Sequence, residues 1–187
     1  MLSRIVVLCS AVLLTSVFFF PLWRIGLVAP QYPEGLHLEI WADKVIGDIR
    51  NINVLNHYIG MSKVEPDKIP EFRMFPYAFG GLAVAGFLAG LLGRKILIRL
   101  WCIAILSFAV YGLYDFYQWE YHFGHDLSED APMKLEESYQ PPLIGTKQIL
   151  TITATSWPEK GGYAFSGAAL LAVFVLLGSF LPSRKKE

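Results

Sequence analysis

The chain has 187 residues, 54% of them hydrophobic, and a mean hydropathy of +0.43, a balance that fits a small integral membrane protein rather than a soluble domain. Its 16 basic and 16 acidic side chains cancel, so the electrostatic signature of a nucleic-acid binder is missing and no nucleic-acid partner is expected. The 2 cysteines, Cys9 and Cys102, sit inside apolar runs and exclude both a disulfide framework and a Cys-x-x-Cys site.

The first apolar run, Leu2 to Trp23, is long enough to cross about 30 Å of hydrocarbon at roughly 1.5 Å per residue. It ends in Phe18-Phe19-Phe20-Pro21-Leu22-Trp23 with no small-x-small cleavage site, so it reads as an uncleaved anchor rather than a signal peptide. The outer segment 24–75 follows. Within it Leu36-His37-Leu38-Glu39-Ile40-Trp41 alternates as a strand does, with His37, Glu39 and Trp41 on one face. Ile49, Ile52, Leu55 and Ile59 recur at helical steps, with Asp48 as N-cap and Gly60 as the terminating glycine.

The second run, Pro76 to Leu92, is rich in glycine and alanine, and its Gly86-x-x-x-Gly90 spacing favours close helix packing. Gly93-Arg94-Lys95 turns the chain into a third span over about residues 96–117. If that helix continues past the lipid, Asp115, Gln118, His122 and His125 share one face. Tyr117, Trp119 and Tyr121 then serve as interfacial anchors. Glu120 is expected to face water, and Asp115 to pair with Arg24 or Arg73. The outer segment 118–162 crosses an acidic patch at Asp126, Glu129 and Asp130 and a fixed Pro141-Pro142 loop. Its alternating stretch Ile149 to Trp157 is expected to pair with the strand at 36–42. A fourth span, 163–181, runs into Arg184, Lys185 and Lys186.

The basic residues flanking the runs, Arg4, Arg94, Lys95, Arg99 and Arg184 to Lys186, fall on one side if the spans alternate, and that side is the cytoplasm. The expected fold is a single all-α membrane domain over 1–187, a four-transmembrane-helix bundle in the bilayer with both termini inside. Only a small extracytoplasmic cap is expected to hold short β-strands. The expected location is the bacterial inner membrane, multi-pass, with the main loops periplasmic.

All 4 histidines, His37, His57, His122 and His125, lie in the outer segments, as do Met61, Met74 and Met133. Imidazole with thioether is a ligand set that suits copper, so the candidate metal residues are His57, Met61, His122 and His125. The plainer alternative is that these side chains are solvated or packed. A b-type haem needs histidines facing each other within the spans, which this chain lacks; the aromatic cluster near Asp115 and Trp119 instead allows a quinol pocket. No nucleophile–base pair, phosphate loop or hydrolytic carboxylate pair stands out, so a non-enzyme is expected.

Three stretches carry a resemblance: Leu55-Asn56-His57-Tyr58-Ile59-Gly60-Met61, Asp115-Phe116-Tyr117-Gln118-Trp119-Glu120-Tyr121, and Tyr139-Gln140-Pro141-Pro142-Leu143-Ile144-Gly145-Thr146-Lys147-Gln148. Together they resemble the small multi-span membrane proteins of bacterial nitrous oxide reductase accessory gene clusters, the NosB-like neighbours of the copper chaperone NosL. The resemblance implies a periplasm-facing role in denitrification: supplying copper or electrons to the reductase, or holding it at the membrane. It assigns no functional residue. The expected function is thus copper handling for a copper-dependent respiratory reductase, with a docking scaffold or a quinol-linked electron-transfer subunit as alternatives.

Overall fold

The computed structural model describes residues 1–128, 130–132, 140–149 and 151–180. Glu129, Met133, Tyr139, Leu150, Leu181 and the basic tail Arg184-Lys185-Lys186, which enter the expectations above, lie outside the described residues.

The helices are α1 (Leu2–Thr15, continued by a 3-10 turn at Ser16–Phe18), α2 (Ile49–Ile59), α3 (Glu71–Leu92), α4 (Lys95–His125) and α5 (Lys160–Phe180). The strands are β1 (Trp23–Ala29), β2 (Tyr32–Ile40), β3 (Val45–Gly47), β4 (Gly145–Ile149) and β5 (Ile152–Pro158). The strands form one antiparallel sheet in the order β3-β2-β1-β5-β4.

This overturns the all-α four-span expectation. The first apolar run is not one helix: Pro21 removes a backbone donor, the helical stretch stops at Phe18, and Trp23 opens a strand. Three helices, α3, α4 and α5, are long and apolar enough to cross a membrane, whereas the Leu2–Phe18 helix is shorter. The sheet pairing differs as well. β5 pairs with β1, Ile25 opposite Ser156 and Leu27 opposite Ala154, and β2 lies on the other side of β1. In β1 the residues Ile25 and Leu27 alternate with Arg24 and Gly26, a strand period concealed by the apolar run before it.

Two joints tie the sheet to the helices. Strand β1 follows directly from the α1 segment and β5 leads directly into α5, and those two helices pack together through Ser10, whose hydroxyl donates to the Ala168 carbonyl at 2.7 Å. Where α5 begins, the chain at Phe20–Leu22 crosses it at backbone contact. A β-carbon on Gly162 would meet the Leu22 carbonyl oxygen, and one on Gly161 the carbonyls of Phe20 and Pro21.

At the opposite end of the helices the basic residues gather. The Arg4 guanidinium donates to the Gly90 and Leu91 carbonyls at 3.0 and 2.6 Å, satisfying the free carbonyl end of α3, and Arg99 donates to the Ser179 carbonyl at 3.3 Å. Nearer the sheet, Phe75, Phe79, Phe108 and Phe165 pack edge to face, with centroids 5.0 to 6.3 Å apart. Helix α4 spans 31 residues, roughly 46 Å at 1.5 Å per residue, against a hydrocarbon core of about 30 Å. The helix is therefore longer than one crossing needs, which leaves length for its last turns, past about residue 117, to extend beyond the hydrocarbon.

The Gly162 crossing gives a direct test. Gly162→Ala should destabilise the chain by about 1–3 kcal/mol, because the backbone oxygen it meets cannot turn aside. Gly112→Ala, whose added β-carbon meets nothing within 4 Å, should be neutral or mildly stabilising. Thermal unfolding of both variants in one detergent compares them.

A candidate ligand chamber and the histidine end of helix α4

The inner face of the sheet does not pack flush on the helix ends. Between them lies a chamber of about 570 Å³. Its upper wall is the alternate residues Trp23, Ile25 and Leu27 of β1, Leu38 and Ile40 of β2, and Ile152 and Ala154 of β5. Its sides are Ile52, Leu55 and Ile59 of α2, Phe72 and Phe75 of α3, and Gly112, Phe116 and Trp119 of α4; α5 adds Phe165, Ala169 and Leu170. Among the described residues no Lys, Arg or His lines it, but three carboxylates do: Glu71, Asp115 and Glu120.

Helix α2 is held over the chamber by its own asparagines. The Asn53 amide donates to the Val64 carbonyl at 3.1 Å while its oxygen accepts the Val64 N–H at 2.7 Å, and the Asn56 amide donates to the Ser62 carbonyl at 3.0 Å. The reversal this requires is made at Gly60, the expected terminating glycine, at φ 81°. The Ser128 N–H donates to the Gly60 carbonyl at 2.8 Å, so the two outer segments meet there. Asp48 precedes α2 as expected, yet its carboxylate does not cap the helix. It accepts the His37 backbone N–H at 2.9 Å and lies 3.1 Å from His37 Nδ1. On the far side, Trp23 Nε1–H donates to the Ser156 hydroxyl at 2.7 Å, and that hydroxyl donates to the Leu143 carbonyl at 3.0 Å, pinning the loop after Pro141-Pro142.

Glu120 is the polar centre of the chamber. It is 4% exposed, and neither carboxylate oxygen has a hydrogen-bond partner among the described residues; one oxygen of Glu71 is in the same state. The expectation that Glu120 faces water is therefore corrected. The signal for this was present in α4. Leu106, Ala109, Leu113, Phe116, Glu120 and Phe123 recur at steps of three and four, so Glu120 occupies the line of the chamber-facing side chains. In these last turns of α4, beyond the length one crossing needs, the Glu120 carboxyl is pushed by burial from 4.5 up to about 8. The expected partners of Asp115 are placed otherwise: Arg24 lies 3.8 Å from Glu159, while Asp115 lines the chamber with Glu71.

The candidate metal residues take different positions. His57 is exposed on the last turn of α2, and Met61 lines the chamber. His122 lines a smaller pocket, about 210 Å³, with Ser62, Lys63, Glu65 and Lys68, which shares the walls Ile69, Trp119 and Phe123 with the chamber. Helix α4 does persist to His125, through a buried Gly124. His122 Nδ1 lies 2.7 Å from the Gln118 carbonyl and His125 Nδ1 2.9 Å from the Tyr121 carbonyl, and the His125 ring stacks on Tyr121 at 3.8 Å. Because a carbonyl only accepts, each Nδ1 carries a proton, which leaves Nε2 as the ring nitrogen that can ligate a metal. Among the described residues no group of three or more His, Cys, Asp or Glu side chains is placed so that it could hold a metal ion.

No family model matches this chain, and no curated protein or solved structure is significantly similar to it.

Glu120 sets a pH dependence. The folded chain holds its proton up to about 8 and an unfolded chain releases it near 4.5, so in that window the folded state binds more protons and stability falls as pH rises. In thermal unfolding between about pH 5 and about pH 8, Glu120→Gln should gain stability over the native chain progressively toward the alkaline end. A constant difference across the window contradicts the buried, unpaired carboxyl.

Proposed function

We propose that this chain is a non-catalytic accessory protein of the bacterial inner membrane that takes a membrane-soluble, mainly apolar molecule into the chamber beneath its sheet. The observation that carries this is the chamber itself, which is lined by apolar side chains of the sheet and of all three span-length helices. It also reaches Leu113 and Leu170, side chains exposed on the outer surface of α4 and α5, which gives a ligand a lateral route from lipid. Pockets of this size and composition hold molecules rather than fill by side-chain packing. Arg4, Arg94, Lys95 and Arg99 sit at the end remote from the sheet, and the positive-inside rule assigns such an end to the cytoplasm and the sheet to the periplasm. A cap on that side suits service to a periplasmic reductase, the nitrous oxide reductase that the sequence resemblance implies.

A second function, copper handling for that reductase, is favoured by one feature. His122 and His125 each have Nδ1 fixed on a backbone carbonyl, the arrangement that orients Nε2 for a metal. His57 and Met61 are carried by the neighbouring outer segment, joined at Gly60 and Ser128.

Two experiments separate these functions. Native mass spectrometry of the detergent-purified chain should find an apolar adduct that Gly112→Phe, which fills open space in the chamber, removes. No adduct in the native chain, or an adduct retained in Gly112→Phe, sinks the chamber function. Copper(I) titration should show one tight equivalent if the second holds, lost in His122→Ala with His125→Ala; failure to bind copper under reducing conditions eliminates it.

A further inference from the structure

The chamber sets three conditions on its occupant, and they converge. Its only charged groups among the described residues are carboxylates. A phospholipid or fatty acid would bring its anionic head against Glu71, Asp115 and Glu120 with no cation to receive it. A pure hydrocarbon would leave the Glu120 carboxyl, already 4% exposed and without a partner, unsatisfied in an apolar space. An ammonium head would be stripped of water among aromatic and aliphatic walls, a larger cost than a neutral donor incurs. The occupant therefore carries a neutral hydrogen-bond donor at one end. The chamber-lining residues that flank Glu120 along α4 are flat rings, Phe116, Trp119 and Phe123, which favour an aromatic head in offset or edge-on contact. The lining extends to Leu113 and Leu170, exposed side chains of helices long enough to span the bilayer, which suits a long apolar tail. About 570 Å³ takes a ring and the first units of such a tail, within the range of small-molecule sites.

We propose that the chamber binds a prenylated hydroquinone: the ring lies among Phe116, Trp119 and Phe123, one hydroxyl donates a hydrogen bond to the Glu120 carboxyl, and the tail leaves between α4 and α5 into the bilayer. This rests on the chamber function proposed above and names its ligand class. Glu120 is a binding residue here. Glu71, whose Oε2 is buried and without a partner among the described residues, marks where a second hydroxyl could donate.

The test uses the full chain in phosphatidylcholine nanodiscs free of quinone. It is titrated separately with a short-tailed benzoquinol, a short-tailed naphthoquinol and a long-chain alkylamine, and Trp23 and Trp119, both in the chamber wall, report occupancy by fluorescence. At least one quinol should bind saturably, and the stronger arm identifies the ring system. Glu120→Leu, which removes the acceptor that a glutamine amide would keep, should weaken that binding about tenfold, the effect of one hydrogen bond, and Gly112→Phe should abolish it. Quinol binding that Glu120→Leu leaves unchanged, or saturation by the amine alone, overturns the proposal. If neither quinol binds while native mass spectrometry still finds an adduct that Gly112→Phe removes, the hydroquinone assignment fails and the chamber function stands; if there is no adduct either, both fail.

Discussion

Strand β1 is hydrogen-bonded along both edges, to β2 and to β5, and it is the direct continuation of the α1 segment. Everything on the outer side depends on that one strand. Because β5 passes at once into α5, and α1 and α5 are bonded to each other within the helical part, the sheet is fixed to the helices at two adjacent points. The crossing of Gly161-Gly162 over Phe20–Leu22 closes the joint at backbone distance, and only glycine permits it.

A sheet joined to the helices through two adjacent strands, and lying over the helix ends, leaves space beneath it. Side chains of a strand stand perpendicular to the sheet and those of a helix lean along it, so the two surfaces do not interdigitate as two helices or two sheets do. The chain closes part of the gap with α2, clamped by Asn53 and Asn56, and part with the phenylalanine cluster of α3, α4 and α5. The remainder is the chamber. Glu120 inside it destabilises the fold in its charged form, since a buried carboxylate without a partner costs several kcal/mol relative to water in the usual range. An apolar residue in its place would remove that penalty, which is why its position on the chamber-facing line of α4 carries functional weight.

The same helix ends in a second kind of chemistry. Past the chamber, α4 turns from apolar to aromatic and imidazole side chains, and its last two turns use their own backbone carbonyls to orient His122 and His125. Trp119 and Phe123 divide the two regions, with one face to the chamber and the other to the pocket of His122. Glu120 and His122 are two residues apart and serve different spaces because a helix turns 200° over two residues.

The sequence by itself determined the local elements whose signals are short-range. Helix α2 with Gly60, the three span-length helices and the strand near 36–40 were legible from period and end signals, whereas the continuation of α4 through Gly124 to His125 was left open by the sequence. Asn53 and Asn56 could not be read, because their role is to bond residues 62–64 across a turn whose course no pattern specifies. Strand β1 was hidden because a strand of apolar residues directly after an apolar helix has no polar boundary to mark the change of period. The partner of β5 was misassigned to the strand near 36–42 for the same reason: pairing is chosen among strands, and one strand was unseen. Burial of Glu120 was written in the three-and-four spacing of α4, but a helix face becomes an interior only when something covers it. That cover is the sheet, and its place depends on residues more than a hundred positions apart meeting at β1 and β5, which only the tertiary structure decides.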